Sequence, residues 1–535
     1  MTSRTQFMVV AAAAALLAGA PVAEAKTFKY AFQGDAGTMD PHGLFETPTI
    51  AFLSNIYETL VFKDGDLKII PGLAEKWEQT KPDTWRFNLR KGVKFHNGNP
   101  FTADDVVFSI ARMKTPGSDF KGAAADVKEV VKIDDYTVDL VTPAPNPIFI
   151  QRMEDLPIMD KEWSEQNKTT EATSPKDAAA ATANFANLNA NGTGPFILKS
   201  REPGQKTVLT RNPNYWGKID TNVDEVIFTP IAQDATRVAA LLAGDVDMVY
   251  PVPVQDWERL EKTAGVKVLR RPETRTIFLG MDQDRAELLY SNVKGKNPFK
   301  DLKVRKAMYE AIDIDAINAK IMRGSARPTG VLVPAEANGY NAALDKRLPF
   351  NVDAAKKLMT EAGYPNGFEV TMDCPNDRYV NDEQICQAVV SMLAKINVKV
   401  TLLAQPKSKY FAKVLSPAFD TSFYLLGWNP STGDAHDALS MLAMCRDKEK
   451  GLGEYNLGNW CNKRYTELVN AMVSETDKTK RQAMIDEATK IFIDDVGLIP
   501  LHQQPLSWGT RDTVTLKQRP DDRFLWKYVV IDRKS

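Results

Sequence analysis

Thr84-Trp85-Arg86-Phe87-Asn88-Leu89-Arg90, then Gly92-Val93-Lys94-Phe95-His96-Asn97-Gly98, then Phe101-Thr102-Ala103-Asp104-Asp105-Val106 form one ordered stretch. Trp85, Phe87 and Leu89 alternate with polar residues, a period of two that predicts a strand with one face buried. Asn97-Gly98 is turn chemistry of the hairpin type. Thr102 is placed to cap a helix carrying Val106, Val107, Phe108 and Ile110, with Asp104 and Asp105 over the positive end of its dipole. Strand, tight turn and capped helix in succession read as a small mixed α/β unit.

The same alternation extends in both directions. Upstream, Phe28 to Phe32 reads as a strand, Gly34 to His42 as a loop around Asp40-Pro41, and Ile50, Leu53, Ile56, Tyr57 and Leu60 as one face of a helix. Downstream, residues 174 to 192 shift to Ala, Asn and Thr and end at Asn191-Gly192-Thr193-Gly194-Pro195, which suggests a crossing between domains. Those glycines do not form a phosphate cradle: GxGxxG is not met, and Pro195 lacks a backbone N–H. Strands are expected at Phe196 to Leu198 and Val208 to Thr210, then a turn with exposed aromatics at Asn212 to Trp216. A helix through Ala235 to Leu242 should end at Gly244, followed by a strand from Val246 to Val249. Leu302 to Met322 reads as two helices divided at Asp313, with Asp315 as the second N-cap. Ala354 to Gly363 and Ile385 to Ile396 read as helices flanking a strand at Phe368 to Met372. The fold class expected is therefore α/β.

With 535 residues the chain exceeds one core, and about 100 to 200 residues per domain suggests roughly three units. The 43% hydrophobic and 26% charged content is that of a globular protein. Lys and Arg (68) nearly balance Asp and Glu (69), so no electrostatic pull toward nucleic acid or an anionic membrane is expected. Arg4, the apolar run from Met8 to Ala20 and the small-x-small pattern Ala23-Glu24-Ala25 read as a cleaved signal peptide over residues 1–25, without a lipid-anchor Cys. An oxidising compartment then favours disulfides among the four cysteines, Cys374, Cys386, Cys445 and Cys461. Three pairings are possible. The sequence-local one, Cys374 with Cys386 and Cys445 with Cys461, closes two short loops and is preferred; each bridge would contribute roughly 3 kcal/mol for a loop of about 15 residues.

Enzyme chemistry finds little support. The four histidines (His42, His96, His436 and His502) are scattered, with no HExxH, and neither a GxSxG elbow nor a GxxxxGK[ST] loop is present. No metal or cofactor is expected. One segment does stand out: within Phe419 to Leu426 an apolar strand, Phe423-Tyr424-Leu425-Leu426, runs into Gly427-Trp428-Asn429-Pro430-Ser431-Thr432-Gly433-Asp434-Ala435-His436-Asp437. A flat aromatic beside polar groups beyond a strand's carboxyl end suits a small solute, while a Trp capping a core is the equally weighted alternative.

The opening stretch, preceded by Leu73-Ala74-Glu75-Lys76-Trp77, resembles the family 5 bacterial solute-binding proteins of ABC importers, which include oligopeptide-, dipeptide- and nickel-binding proteins. Supporting matches are Gly192 to Phe196, Asn212 to Trp216, Gly244-Asp245-Val246-Asp247, Val304-Arg305-Lys306-Ala307, Gly427-Trp428, and Cys445 with Cys461. The resemblance implies a two-lobed periplasmic binding protein fold with three domains. Domain I would comprise residues 26–68, 192–280 and 498–535, an inserted domain II 69–191, and domain III 281–497. It also implies a periplasmic monomer that captures a small peptide or peptide-like polar solute and delivers it to membrane permease subunits with cytoplasmic ATPases. A non-peptide ligand such as an anionic small molecule, sugar conjugate or metal complex is the alternative, and an extracytoplasmic hydrolase or chaperone on the same fold a further one.

By the same resemblance, cleft contacts fall on Phe45, Glu46 and Thr47, on the Gly427-Trp428 loop, and on the late strand from Pro500 to Gln504. Peptide-binding members place an Asp three residues after the Trp to meet the ligand ammonium; here Ser431 stands there. Asp434 and Asp437 are the next acids expected to take over, Asp434 being the preferred one, with His436 beside them. Arg275, Arg378 and His502 are the expected partners of a ligand carboxylate.

Overall fold

Alternation along Thr84–Leu89 has the consequence read from it: Phe87 and Leu89 are buried, while Arg86 lies opposite Asp139 on the next strand and donates to it at 2.7 Å. The computed structural model describes residues 26–175, 184–447 and 451–532, so the predicted signal peptide lies outside the described residues. Thr84–Leu89 is second in a four-stranded antiparallel sheet, after Ala74–Lys81 and before Thr137–Val141 and Glu129–Asp134. Helix Ala103–Met113 packs on it with Thr102 as the predicted N-cap, and the Asp105 carboxylate accepts the Thr102 N–H at 2.8 Å, which completes a capping box.

A second, eleven-stranded sheet spans the molecule. From one edge its order is Val398–Gln405, Phe368–Pro375, Phe423–Trp428, Val266–Met281, Ile499–Arg511, Met248–Tyr250, Thr27–Phe32, Glu225–Pro230, Lys206–Arg211 and Phe196–Glu202. The short strand Arg327–Pro328 adds to Ile499–Arg511. Pairing is parallel where helices intervene, as between Phe368–Pro375 and Val398–Gln405. Two long antiparallel strands, Val266–Met281 and Ile499–Arg511, join the halves, and their register breaks between Pro272 and Thr276. The first half of Val266–Met281 and the second half of Ile499–Arg511 lie with one lobe, and the remaining halves lie with the other, which makes the two-lobed architecture of periplasmic binding proteins. Each lobe has its own apolar core, for example Phe28, Tyr30, Trp508 and Trp526 in one and Tyr410, Tyr424, Trp460 and Tyr465 in the other.

Several local expectations change. The helix near Ile50 is only Thr47–Leu53; Ile56, Tyr57 and Leu60 are buried beyond it, because the Ile56 carbonyl turns to accept the Gly194 N–H. The second of the paired helices is capped by Asp313, whose side chain accepts the Ala316 N–H, and not by Asp315. Tyr215 and Trp216 are not free aromatics: their O–H and N–H donate to the two oxygens of buried Glu58 at 2.7 and 2.6 Å. Gly244 ends its helix with φ of +81°, a left-handed cap. Both short-range disulfides, Cys374–Cys386 and Cys445–Cys461, are present.

Candidate ligand-binding cleft

Between the lobes lies a cavity of about 730 Å³, part of it open to solvent. One wall begins at the loop after the first strand. There buried Asp40 receives both terminal nitrogens of buried Arg112, at 2.6 and 2.8 Å, which ties this loop to helix Ala103–Met113. Phe45, Glu46 and Thr47 follow, all facing the cavity.

The opposite wall is built by strand Phe423–Trp428 and the loop Asn376 to Asn381. A Cβ on Gly427 would sit 2.6 Å from Ile277 and 2.8 Å from the Tyr379 ring, so glycine is what allows that ring against the strand. The Tyr379 hydroxyl donates to the Gly427 carbonyl at 3.3 Å. Asp382 fixes the loop by accepting the N–H groups of Arg378 and Tyr379, both at 2.9 Å, and the Cys374–Cys386 bridge ties the strand before the loop to the helix after it. Burial pushes the Asp382 carboxyl up to about 7 despite those bonds. Trp428 stacks on Phe45 with ring centroids 6.5 Å apart and meets Tyr455 in a tilted contact at 4.8 Å, and its indole N–H donates to Asp437 at 2.8 Å.

Charge on the lining is arranged in pairs. Glu46 meets Lys407 at 3.1 Å and Arg378 at 3.1 Å, and Thr49 donates to it. Burial acts to raise its carboxyl, but Lys407 and Arg378 outweigh that and hold it below the usual carboxylate range. Arg275 donates through Nε to Glu273 at 2.8 Å, leaving Nη2 buried with no hydrogen-bond partner. The Arg378 Nε is likewise not aligned for a hydrogen bond. Both guanidinium groups flank the Tyr379 ring, at 6.0 and 4.8 Å.

Of the residues expected at the site, Phe45, Glu46, Thr47, Arg275, Arg378, Trp428 and Ser431 line this cavity. Asp434, His436 and His502 do not. Asp434 caps helix Ala435–Ala443 and is held by Arg481 at 2.7 and 3.0 Å and by Asn338 at 2.6 Å, so its charge is spent inside one lobe. The ring of His436 is buried on the first turn of that helix, and burial lowers its pKa. His502 is fully buried in the long strand, paired with Pro328 and Ile277, and burial with nearby Arg347 takes its pKa to about 3. Ser431 is itself occupied: its hydroxyl donates to Asp155 at 2.5 Å and lies 3.1 Å from Asp437, while Lys63 reaches its carbonyl at 2.5 Å.

Residues that the sequence did not single out also face the cavity, among them Phe411, Leu415, Tyr455, Asp521 and Arg523. The last two belong to a polar segment near the C-terminus without strand or helix period, so only tertiary contact reveals them. Asp521 binds Arg519 at 2.5 Å, and Arg523 binds Asp155 at 2.5 Å. Among the described residues no group of three or more His, Cys, Asp or Glu is arranged to hold a metal ion, and no helix is long and apolar enough to cross a membrane.

Two lobes joined by paired long strands, with a cavity between them lined by aromatic side chains and paired charges, define a cleft-binding protein for small solutes. Sequence comparison agrees: the profile of bacterial extracellular solute-binding proteins, family 5 Middle, matches residues 68–450, and the chain belongs to that family. It is 27% identical over 500 residues to the dipeptide-binding protein of Escherichia coli K12, covering 88% of each chain. Among solved structures, it is similar to a Helicobacter pylori ABC transporter-associated periplasmic binding protein in complex with peptide STSA. That likeness has a TM-score of 0.83 at 24% identity, over 95% of this chain and 98% of that one. The PBP AgaA from A. tumefacien R10, in complex with agropinic acid, aligns with a TM-score of 0.82 at 25% identity, over 95% and 99%.

Proposed function

We propose that this protein is the periplasmic component of an ABC importer, capturing a small peptide or peptide-like polar solute between its lobes and presenting the closed form to membrane permease subunits. The observation that carries this reading is the interlobe cavity itself, walled by Phe45, Trp428 and Tyr455 and holding the guanidinium groups of Arg275 and Arg378. Aromatic walls supply apolar contact, and unpartnered N–H groups supply orientation. The dipeptide-binding relative and the peptide-bound neighbour support the solute class, and the agropinic acid complex supports room for non-peptide acids on the same scaffold. The three-domain division, with 69–191 inserted in a discontinuous domain I and 281–497 as domain III, belongs to the same reading. So do export by the leader and a monomeric working state.

Capture proceeds without chemical change. Glu46 and Asp521, the acids on the lining, sit in ion pairs, which leaves neither as a general base. Native mass spectrometry of freshly purified protein should show a retained small molecule. Incubation with a peptide mixture should return every peptide intact. Replacing Trp428 with Ala should weaken retention at least tenfold through lost stacking and burial. Cleaved peptides would overturn the binding-only reading, and unchanged affinity in folded Trp428→Ala would remove this cavity from it.

A further inference from the structure

We infer that Arg152 and Ser431 form a latch between the lobes: they close the cleft by direct protein contact and couple closure to the Trp428 wall through Asp437. This rests on the solute-capture reading above and deepens it, because it assigns residues that position the wall and set how readily the cleft closes.

Arg152 ends the short helix Phe149–Arg152, and Asp155 ends the turn Met153–Asp155 that follows. The first lobe holds this segment: Arg523, next to Phe524 of its core, donates to Asp155 at 2.5 Å. Ser431 and Asp437 belong to the other lobe, in the loop after strand Phe423–Trp428 and on the first turn of helix Ala435–Ala443. Across the boundary, Arg152 Nη1 lies 3.3 Å from the Ser431 hydroxyl and 3.4 Å from Asp437. The Ser431 hydroxyl donates to Asp155 at 2.5 Å, and the Ser431 carbonyl accepts from Lys63 at 2.5 Å. Arg152, Asp155, Asp437 and Lys63 are all at most 5% exposed.

Each lobe keeps its own half of this cluster when the lobes part. Asp437 retains the N–H groups of Trp428 and Thr432, and Asp155 retains Arg523 and Arg152. Only the bonds that cross the boundary are made and broken, so opening strands no buried charge. Closing, however, brings two like charges together: Asp155 and Asp437 lie 2.5 and 3.1 Å from the same Ser431 hydroxyl. Arg152 Nη1 is what reconciles them, at 3.2 Å from one and 3.4 Å from the other. Without it, two buried carboxylates face each other across the boundary, and parting the lobes hydrates both. The loss then falls on closure and not on the folding of either lobe. Arg152 is also a positioning residue, since the Asp437 it grips accepts the indole N–H of Trp428 at 2.8 Å and so orients the cavity wall. Closure built on such contacts has a favourable free energy of its own, and the solute-free protein populates the closed form accordingly.

The test is X-ray scattering from the mature protein, stripped of solute by unfolding and refolding with its disulfides intact, for wild type, Arg152→Met, Arg152→Lys and Ser431→Ala. Wild type should follow the curve calculated for the closed arrangement described above. Arg152→Met and Ser431→Ala should show a larger radius of gyration with unchanged far-ultraviolet circular dichroism. Arg152→Lys keeps the charge and should lie closer to wild type than Arg152→Met does. An expanded wild type, or a wild type on which Arg152→Met superimposes, overturns the latch. If Arg152→Met fails to fold, Ser431→Ala decides by the same criterion. Native mass spectrometry before stripping keeps the two readings apart: a retained small molecule beside an expanded wild-type curve removes the latch and leaves solute capture standing. Cleaved peptides beside a closed wild-type curve that opens in Arg152→Met remove binding-only capture and leave the latch.

Discussion

Arg378 concentrates the chemistry of the cleft in one side chain: its Nε lies 3.1 Å from Glu46, its guanidinium carbon 4.8 Å from the Tyr379 ring centroid, and its backbone is held by Asp382. Replacing it with Met keeps much of the packing and removes the charge. A lost charge-assisted hydrogen bond of about 1.5–3 kcal/mol should weaken binding of a carboxylate ligand roughly 10- to 100-fold, read by calorimetry, and because buried Glu46 then keeps only Lys407 as its cationic partner, the unfolding midpoint should fall as well. His502 is a residue of a different kind. Burial and Arg347 depress its pKa from 6.5 to about 3, so the folded state favours the neutral ring. Its contribution is complete above pH 6.5 and is lost progressively as pH falls toward 3, at about 1.4 kcal/mol per pH unit. His502→Phe should therefore lose about 2 kcal/mol less stability than wild type between pH 7.5 and 5.0 in urea unfolding. Equal losses in the two proteins would show that this ring does not titrate on unfolding.

At the scale of elements, the loop from Asn376 to Asn381 is held at both ends. Cys374 closes the strand Phe368–Pro375 onto Cys386 of helix Asp382–Leu393, and Asp382 gathers the loop's N–H groups. The double variant Cys374→Ser, Cys386→Ser should cost about 2–4 kcal/mol in unfolding and, by loosening Arg378 and Tyr379, weaken ligand binding as well. Loss of stability with unchanged affinity would separate the bridge from the site. Gly427 makes the matching demand on the neighbouring strand. Ala there drives a methyl into Ile277 and Tyr379, so Gly427→Ala should reduce affinity while the protein still folds, as near-ultraviolet circular dichroism will report.

Across the whole molecule, closure rests on contacts between the lobes. Lys407 reaches Glu46 and the Asp35 carbonyl at 3.1 Å each, Ser431 reaches Asp155, Arg152 reaches Asp437, and Phe45 stacks on Trp428. The break in register between Pro272 and Thr276 falls where the long strands pass between lobes, and Glu273 and Arg275 lie within it and at its edge. Gln504, on the facing strand, donates to Glu273 at 2.5 Å. Ligand contact with Arg275 thus acts close to where the lobes pivot. Lys407→Ala removes one tie without touching Arg275, and should raise the radius of gyration of the unliganded protein in X-ray scattering while ligand restores the compact form. Indistinguishable scattering curves would place closure in the other contacts.

The sequence by itself determined the elements and their class. Period-two and period-four patterns are local, and they set out the strand at Trp85, the helix after Thr102 and the stop at Gly244, all of which the structure contains. It favoured the disulfide pairing found, since short loops favour neighbouring cysteines, but left three pairings open until the structure showed Cys374–Cys386 and Cys445–Cys461. Phe45, Arg378, Trp428 and Ser431 were legible because a resemblance placed them beside one cleft. What tertiary structure decided was which charges remain available. Asp434, Asp437 and Glu46 look alike in sequence, yet Arg481 takes the first, Trp428 and Ser431 the second, and Lys407 with Arg378 the third. Arg481 stands 47 residues from Asp434, and Lys407 stands 361 from Glu46. Pairing over such separations is set by how lobes and helices dock, which no local pattern encodes.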